Sequence, residues 1–207
     1  FGLIKGFLES FEEENEGSTT SMVVSSGLFA RAFLCPAACV TAFEHSTRVI
    51  GLDACHVKAP YGGVVLLMTV LDGNGQIFPA AIGIAETEST LTWAWFLGLV
   101  RTAFRVGDGE GIVALSDREK GIETSLADVL PLAAHGFCVY HISKNVAKRY
   151  KVDLEGLLWK AAKAATEDAF NSTIAEIKAV HLGAGEYIDA IDEKKWARSS
   201  FPVRRFG

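Results

Sequence analysis

Two aspartates in this 207-residue chain each stand at the end of a short apolar run. Asp53 closes Arg48-Val-Ile-Gly-Leu-Asp and Asp117 closes Ile112-Val-Ala-Leu-Ser-Asp. A short β-rich apolar run reads as a buried strand. A carboxylate at its C-terminal tip therefore emerges at the edge of the core, where a divalent cation can be held without burying an unpaired charge. Taken singly, an Asp at a strand end is most simply a turn former or helix cap, and Asp117 is well placed to cap a helix beginning near Glu119. Two such tips on one sheet, 64 positions apart and the first followed by Cys55-His56-Val57-Lys58, point further. Paired carboxylates suit hard cations such as Mg²⁺ or Mn²⁺. Two ions clamped between carboxylates can activate an attacking oxygen and stabilise the leaving one in phosphodiester chemistry. A third acidic ligand is expected nearby.

A second cluster is His135-Gly-Phe-Cys-Val-Tyr-His141, in which Cys138 and His141 are three apart. A structural zinc site needs four ligands and only His135 is an obvious third, so zinc is disfavoured. The plainer reading is a buried thiol in a strand with His141 bonding to backbone at a helix start. A Cys138/His141 nucleophile pair is weaker still, because nothing in the sequence activates the thiol. Lys144, Lys148, Arg149 and Lys151 fall mostly on one face of the following helix, which either tracks phosphates or is simply solvated. Trp93, Trp95 and Phe96 have the spacing of core residues rather than of a base-stacking platform. No phosphate-cradling glycine loop, dinucleotide fingerprint or hydrolase elbow is present.

The elements that must position these residues follow from the periodicity. Leu3, Ile4, Phe7, Leu8 and Phe11 predict an amphipathic helix over 2–14. Strand-like runs cover 21–25 and 28–34, and Pro36 opens a short helix through Ala42. Residues 1–46 thus read as a leader segment. From Arg48 the pattern becomes three successive antiparallel strands, 49–52, 64–71 and 77–84, the last two joined by the turn Asp72-Gly-Asn-Gly. A helix capped by Ser89 runs to about Arg105, and the strand ending at Asp117 comes next. A helix over 119–129, a short strand over 137–140 and a helix from Ile142 complete a core over 47–151. This α/β order, three antiparallel strands and then alternating helix and strand, resembles the mixed sheet of ribonuclease-H-like domains. Residues 152–200 are helical throughout and form a C-terminal all-helical insertion; 201–207 read as a truncated return from it.

The bulk numbers fit a folded, soluble piece. Hydrophobic residues make up 49 % of the chain, and the formal charge of −5 argues against a surface that coats nucleic acid generally. The longest apolar stretch is about half a bilayer span, so no membrane segment is expected, nor a signal peptide. Four irregularly spaced cysteines fit a reducing compartment. The ends, Phe1 without an initiator Met and Phe206-Gly207, suggest a fragment.

Several segments, taken in order, resemble the Mutator-like element (MULE) transposases. They are Gly51-Leu-Asp-Ala-Cys-His-Val-Lys, Tyr61-Gly-Gly-Val, Leu71-Asp-Gly-Asn-Gly-Gln-Ile-Phe-Pro, Glu86-Thr-Glu-Ser, Trp93-Ala-Trp-Phe, Ser116-Asp-Arg-Glu-Lys-Gly and Cys138-Val-Tyr-His-Ile-Ser-Lys-Asn. The likeness is specific as a set and runs from about Arg48 to the C-terminus. It implies a nuclear DNA transposase core that cuts and joins transposon DNA with an Asp, Asp, Glu triad and two Mg²⁺ or Mn²⁺ ions, acting on transposon ends and target, with a homo-oligomer possible. Asp53 and Asp117 match the first two acids and Cys138 with His141 the Cys-x-x-His motif; the role of His56 is open. The family's Glu follows a stretch like Trp196-Ala-Arg-Ser-Ser-Phe-Pro-Val-Arg-Arg. Glu167 and Glu176 lie inside the helical insertion and lack its context. The expectation is therefore a chain that lacks one ligand and is inactive alone. The alternative is a domesticated DNA-binding regulator or an inert remnant without catalysis.

Overall fold

A computed structural model describes residues 2–58 and 62–202, apart from the side chain of Lys120. Tyr61 of the resemblance segments and the stretch from Val203 onward, most of the expected return, lie outside the described residues. The chain forms a mixed α/β fold and divides into two compact units, Phe1–Ala133 and Ala134–Gly207.

The first unit opens with α1 (Ile4–Glu14), which presses Leu8 inward and leaves Phe7 exposed. Next come β1 (Thr19–Ser25) and β2 (Leu28–Cys35). They form an antiparallel hairpin whose two turn residues, Ser26 and Gly27, have φ of 52° and 78°. A two-residue hairpin loop with positive φ at both positions matches the twist of its strands, and glycine at the second lowers its cost. After α2 (Ala37–Glu44), β3 (Val49–His56), β4 (Val64–Leu71) and β5 (Ile77–Ala85) pair antiparallel in succession. The β4–β5 turn is held as expected: Asp72 Oδ1 accepts from the backbone N–H groups of Asn74 and Gln76 at 2.8 and 2.7 Å, and Gly75 takes φ of 77°. Two further helices, α3 (Thr90–Ala103) and α4 (Lys120–Val129), flank β6 (Val113–Ser116). Within this unit the sheet order is β1-β2-β5-β4-β3-β6. The leader strands therefore extend the same sheet through β2–β5 pairing.

Burial alternates strictly along β4, with Val64, Leu66, Met68 and Val70 inward. They meet Trp93, Phe96, Leu97 and Val100 of α3, all fully or nearly fully buried, so the aromatic spacing of that helix is core packing. The Phe96 ring lies so close over Gly83 that a Cβ there would sit 2.8 Å from Cδ2.

Two expected boundaries shift. The strand expected to stop at Asp53 continues to His56, because residues 53–56 remain paired to Leu67, Leu66, Val65 and Val64. Periodicity saw only its apolar half. The strand expected over 137–140 lies instead at β7 (Ala134–Phe137), and Val139 already begins the next helix. Cys138 is the N-cap residue of that helix, not a strand residue.

The second unit starts with β7 and continues through α5 (Val139–Tyr150), α6 (Glu155–Ala162), α7 (Glu167–Val180), α8 (Leu182–Asp189) and a 3₁₀ turn at Glu193–Lys195. Its core is separate: Ile142, Val146, Leu158, Phe170, Ile174, Ile177 and Ile188 surround Trp196, whose ring meets Phe170 edge-on at 5.3 Å. Trp196 thus anchors the end of the helical segment.

Candidate metal site at the ends of two parallel strands

Strands β3 and β6 are parallel neighbours, paired Val49 with Val113, Ile50 with Ala114 and Gly51 with Leu115. Every pair has the same offset of 64 residues. Carried two residues on, that offset sets Asp53 beside Asp117. Side chains at matched register positions on neighbouring strands share a face, so both carboxylates project on the same side, from strands about 4.8 Å apart. Ile50 and Leu52 take the opposite face and are buried, whereas Asp53 is exposed. Ligand sites of open α/β sheets favour this end, where parallel strands finish and loops diverge.

Each aspartate is oriented by one backbone bond. Asp53 Oδ1 accepts from the N–H of Ala54 at 2.9 Å, and Asp117 Oδ1 accepts from the N–H of Glu119 at 3.2 Å. The second is a local turn bond that leads into α4, whose N-cap residue is Glu119. The turn-former reading of Asp117 is therefore also realised; one carboxylate oxygen suffices for it.

A third carboxylate near this end was missed in the sequence. Glu88 lies in the loop between β5 and α3, immediately before the Ser89 cap. Its Oε1 accepts from the indole N–H of Trp93 at 3.1 Å, and its Oε2 stands 3.9 Å from His56 Nε2. Only 20 % of its side chain is exposed. Burial pushes the Glu88 carboxyl above its usual range. The Trp93 bond opposes this, the charges of Asp117 and Glu119 add to the rise, and His56 counters it. The field of Asp117 thus reaches Glu88, which a linear reading 29 residues away had no means of detecting. Its only signal in the sequence was the Glu-Ser-x-x-Thr capping pattern that fixes the loop: Ser89 and Thr92 form a reciprocal capping box.

The donor set here is all oxygen, the chemistry of a hard cation rather than of zinc. Among the described residues, no three His, Cys, Asp or Glu side chains stand close enough together to form a ready-made metal cage. The other candidates lie elsewhere. His56 ends β3 as an exposed side chain facing Glu88. In the second unit Cys138 and His141 occupy the first turn of α5, and His141 Nδ1 is buried without a hydrogen-bond partner. The His141 ring packs on Tyr140 at 5.8 Å and His135 on Phe137 at 5.4 Å. Glu176 is engaged by Lys160 at 2.8 Å, and Glu167 lies in the first turn of α7.

No helix among the described residues is long and apolar enough to cross a membrane. Comparison with curated proteins returns no match. The family comparison does: residues 49–145, from the start of β3 into α5, match the model of the MULE transposase domain, and over that span the chain is a MULE transposase domain.

Proposed function

We propose that this chain supplies the catalytic core of a DNA transposase, with a ribonuclease-H-like sheet presenting Asp53 and Asp117 as ligands for Mg²⁺ or Mn²⁺. The observation that carries this reading is the shared 64-residue register, which brings the two carboxylates to one face at the ends of two parallel strands. The family match supports DNA as the substrate class. When bound, such ions supply charge neutralisation at a phosphodiester and activation of an attacking oxygen. The residues' own contribution is positional. Asp53 is fixed by its Ala54 bond and Asp117 by its Glu119 bond, each held through Oδ1. Glu88, tied to Trp93, adds negative potential behind them. Its partner His56 is 75 % exposed and stands at the mouth of the site.

The test is divalent binding to the 207-residue chain, read by Mn²⁺ electron paramagnetic resonance, alongside metal-dependent nicking of duplex DNA. Asp53→Asn and Asp117→Asn should each weaken Mn²⁺ binding at least tenfold, a loss of about 1.4 kcal/mol. Unchanged Mn²⁺ affinity in both variants would reject the site. Nuclear localisation and assembly into a homo-oligomer belong to the same proposal and are read by cell imaging and by light scattering.

A further inference from the structure

The two units differ in charge. Residues 1–133 carry eight Lys and Arg against sixteen Asp and Glu, a formal −8, and residues 134–207 carry twelve against nine, +3. The excess in the second unit is most concentrated on α5. From Val139 to Lys151 there are four basic residues and no acidic one. A merely solvated helix usually interleaves opposite charges at i,i+4, and this one does not.

At 100° per residue, Tyr140, Lys144, Lys148 and Lys151 fall within an arc of about 80°. Val139, Ile142, Ser143 and Val146 occupy the buried face roughly opposite. Tyr140 is 48 % exposed, and Lys144 Nζ sits 4.8 Å from its ring centroid. Lys144 also bonds Glu155 at 3.2 Å, which fixes its head group at one end of the stripe. Lys148 and Lys151 are exposed and form no ion pair among the described residues. Arg149 turns away to stack over Tyr150 and Tyr187, 5.3 Å from each ring. The stripe spans roughly 16 Å of helix, the axial length of about five base pairs. Helix-dipole stabilisation of the last turn accounts for basic residues at Lys148 and Lys151 only as far as helix stability goes. It does not account for the empty complement of acids along the whole face.

We infer that the outward face of α5, Tyr140, Lys144, Lys148 and Lys151, is a docking surface for the phosphate backbone of duplex DNA. This rests on the DNA reading above but not on the metal site, and its readout needs no metal. The experiment is fluorescence anisotropy of a labelled duplex of about 20 base pairs with the 207-residue chain in EDTA, across a series of NaCl concentrations. The double variant Lys148→Gln/Lys151→Gln should lower the slope of log K against log salt by about 1.8. At about 0.1 M salt that corresponds to roughly a 60-fold weakening. A charge-matched control in the same unit, Lys163→Gln/Lys194→Gln, should bind within about twofold of the parent, and thermal melts should show both variants folded. Four results would overturn the inference: no duplex binding by the parent, an unchanged slope in the first variant, an equal loss in the control, or tighter binding to anionic vesicles than to duplex. Loss of DNA binding with intact Mn²⁺ affinity, or the converse, separates this inference from the metal reading.

Discussion

Asp53→Asn in the metal-free protein separates stability from function at the candidate site. The register of β3 and β6 sets Asp53 and Asp117 on one face of adjacent strands. Their carboxylates are then of the order of 5 Å apart, given strands about 4.8 Å apart. Two like charges at that separation repel by about 0.8 kcal/mol in bulk water and about 3 kcal/mol at an effective dielectric of about 20. Asp53 is exposed, so the lower figure governs and about 1 kcal/mol is expected. Asn keeps a side-chain carbonyl to accept the Ala54 N–H bond, and its strand propensity is close to that of Asp, so the substitution removes little but charge. In urea denaturation with EDTA at low salt, the Asp53→Asn variant should be more stable than the parent by about 1 kcal/mol, a gain that fades as salt shortens the Debye length. With Mn²⁺ at about 100 times its dissociation constant the order should invert. The parent then gains about 2.7 kcal/mol from binding and the variant gains almost nothing. A variant that is less stable in EDTA, or that Mn²⁺ stabilises as much as the parent, would refute the argument that these carboxylates form one electrostatic unit.

Other expectations concern the frame around the site. Glu88→Gln should leave stability unchanged in acid, where the carboxyl is neutral folded or unfolded, and should stabilise the metal-free chain progressively as pH rises above about 4.5. Over that range the buried parent carboxyl ionises more readily in the unfolded chain, while Gln retains the Trp93 bond. Two residues earlier the sign reverses. Glu86 is bonded by Arg31 at 2.6 Å and held below the usual 4.5, so Glu86→Gln should cost stability at neutral pH, with the difference vanishing as pH falls below that value. Ser89→Ala removes the capping box of α3 and should cost about 1 kcal/mol by urea melt, slackening the loop that carries Glu88. Gly83→Ala drives a methyl against Phe96 and should cost about 1–3 kcal/mol; a neutral result would mean the Phe96 ring shifts freely in the core.

Where local chemistry decides, the sequence was explicit. The Asp72 turn, the Ser89 cap, the alternation of β4 and the core role of Trp93 and Phe96 all stand where turn residues, capping pattern and periodicity put them. Boundaries were less legible where polar residues continue a ladder. The second half of β3, Asp53 to His56, is paired through backbone to β4 and carries no apolar signal to reveal it. Cys138 was assigned to a strand because Val139 and Tyr140 have high strand propensity, yet Val139 and Ile142 find a helical core against Leu158 and Trp196. Tertiary packing overrode the local preference.

The sequence by itself determined the types and spacing of the candidate ligands, since an apolar run followed by Asp is a one-dimensional pattern that needs no partner to be read. Only the tertiary structure decided that the two runs are parallel neighbours in a single register, because strand pairing joins residues with no local signal of their mutual distance. The same holds for Glu88, which the Ser89 cap and the Trp93 indole bring within the field of Asp117. A carboxylate's environment is a property of the neighbours it acquires on folding.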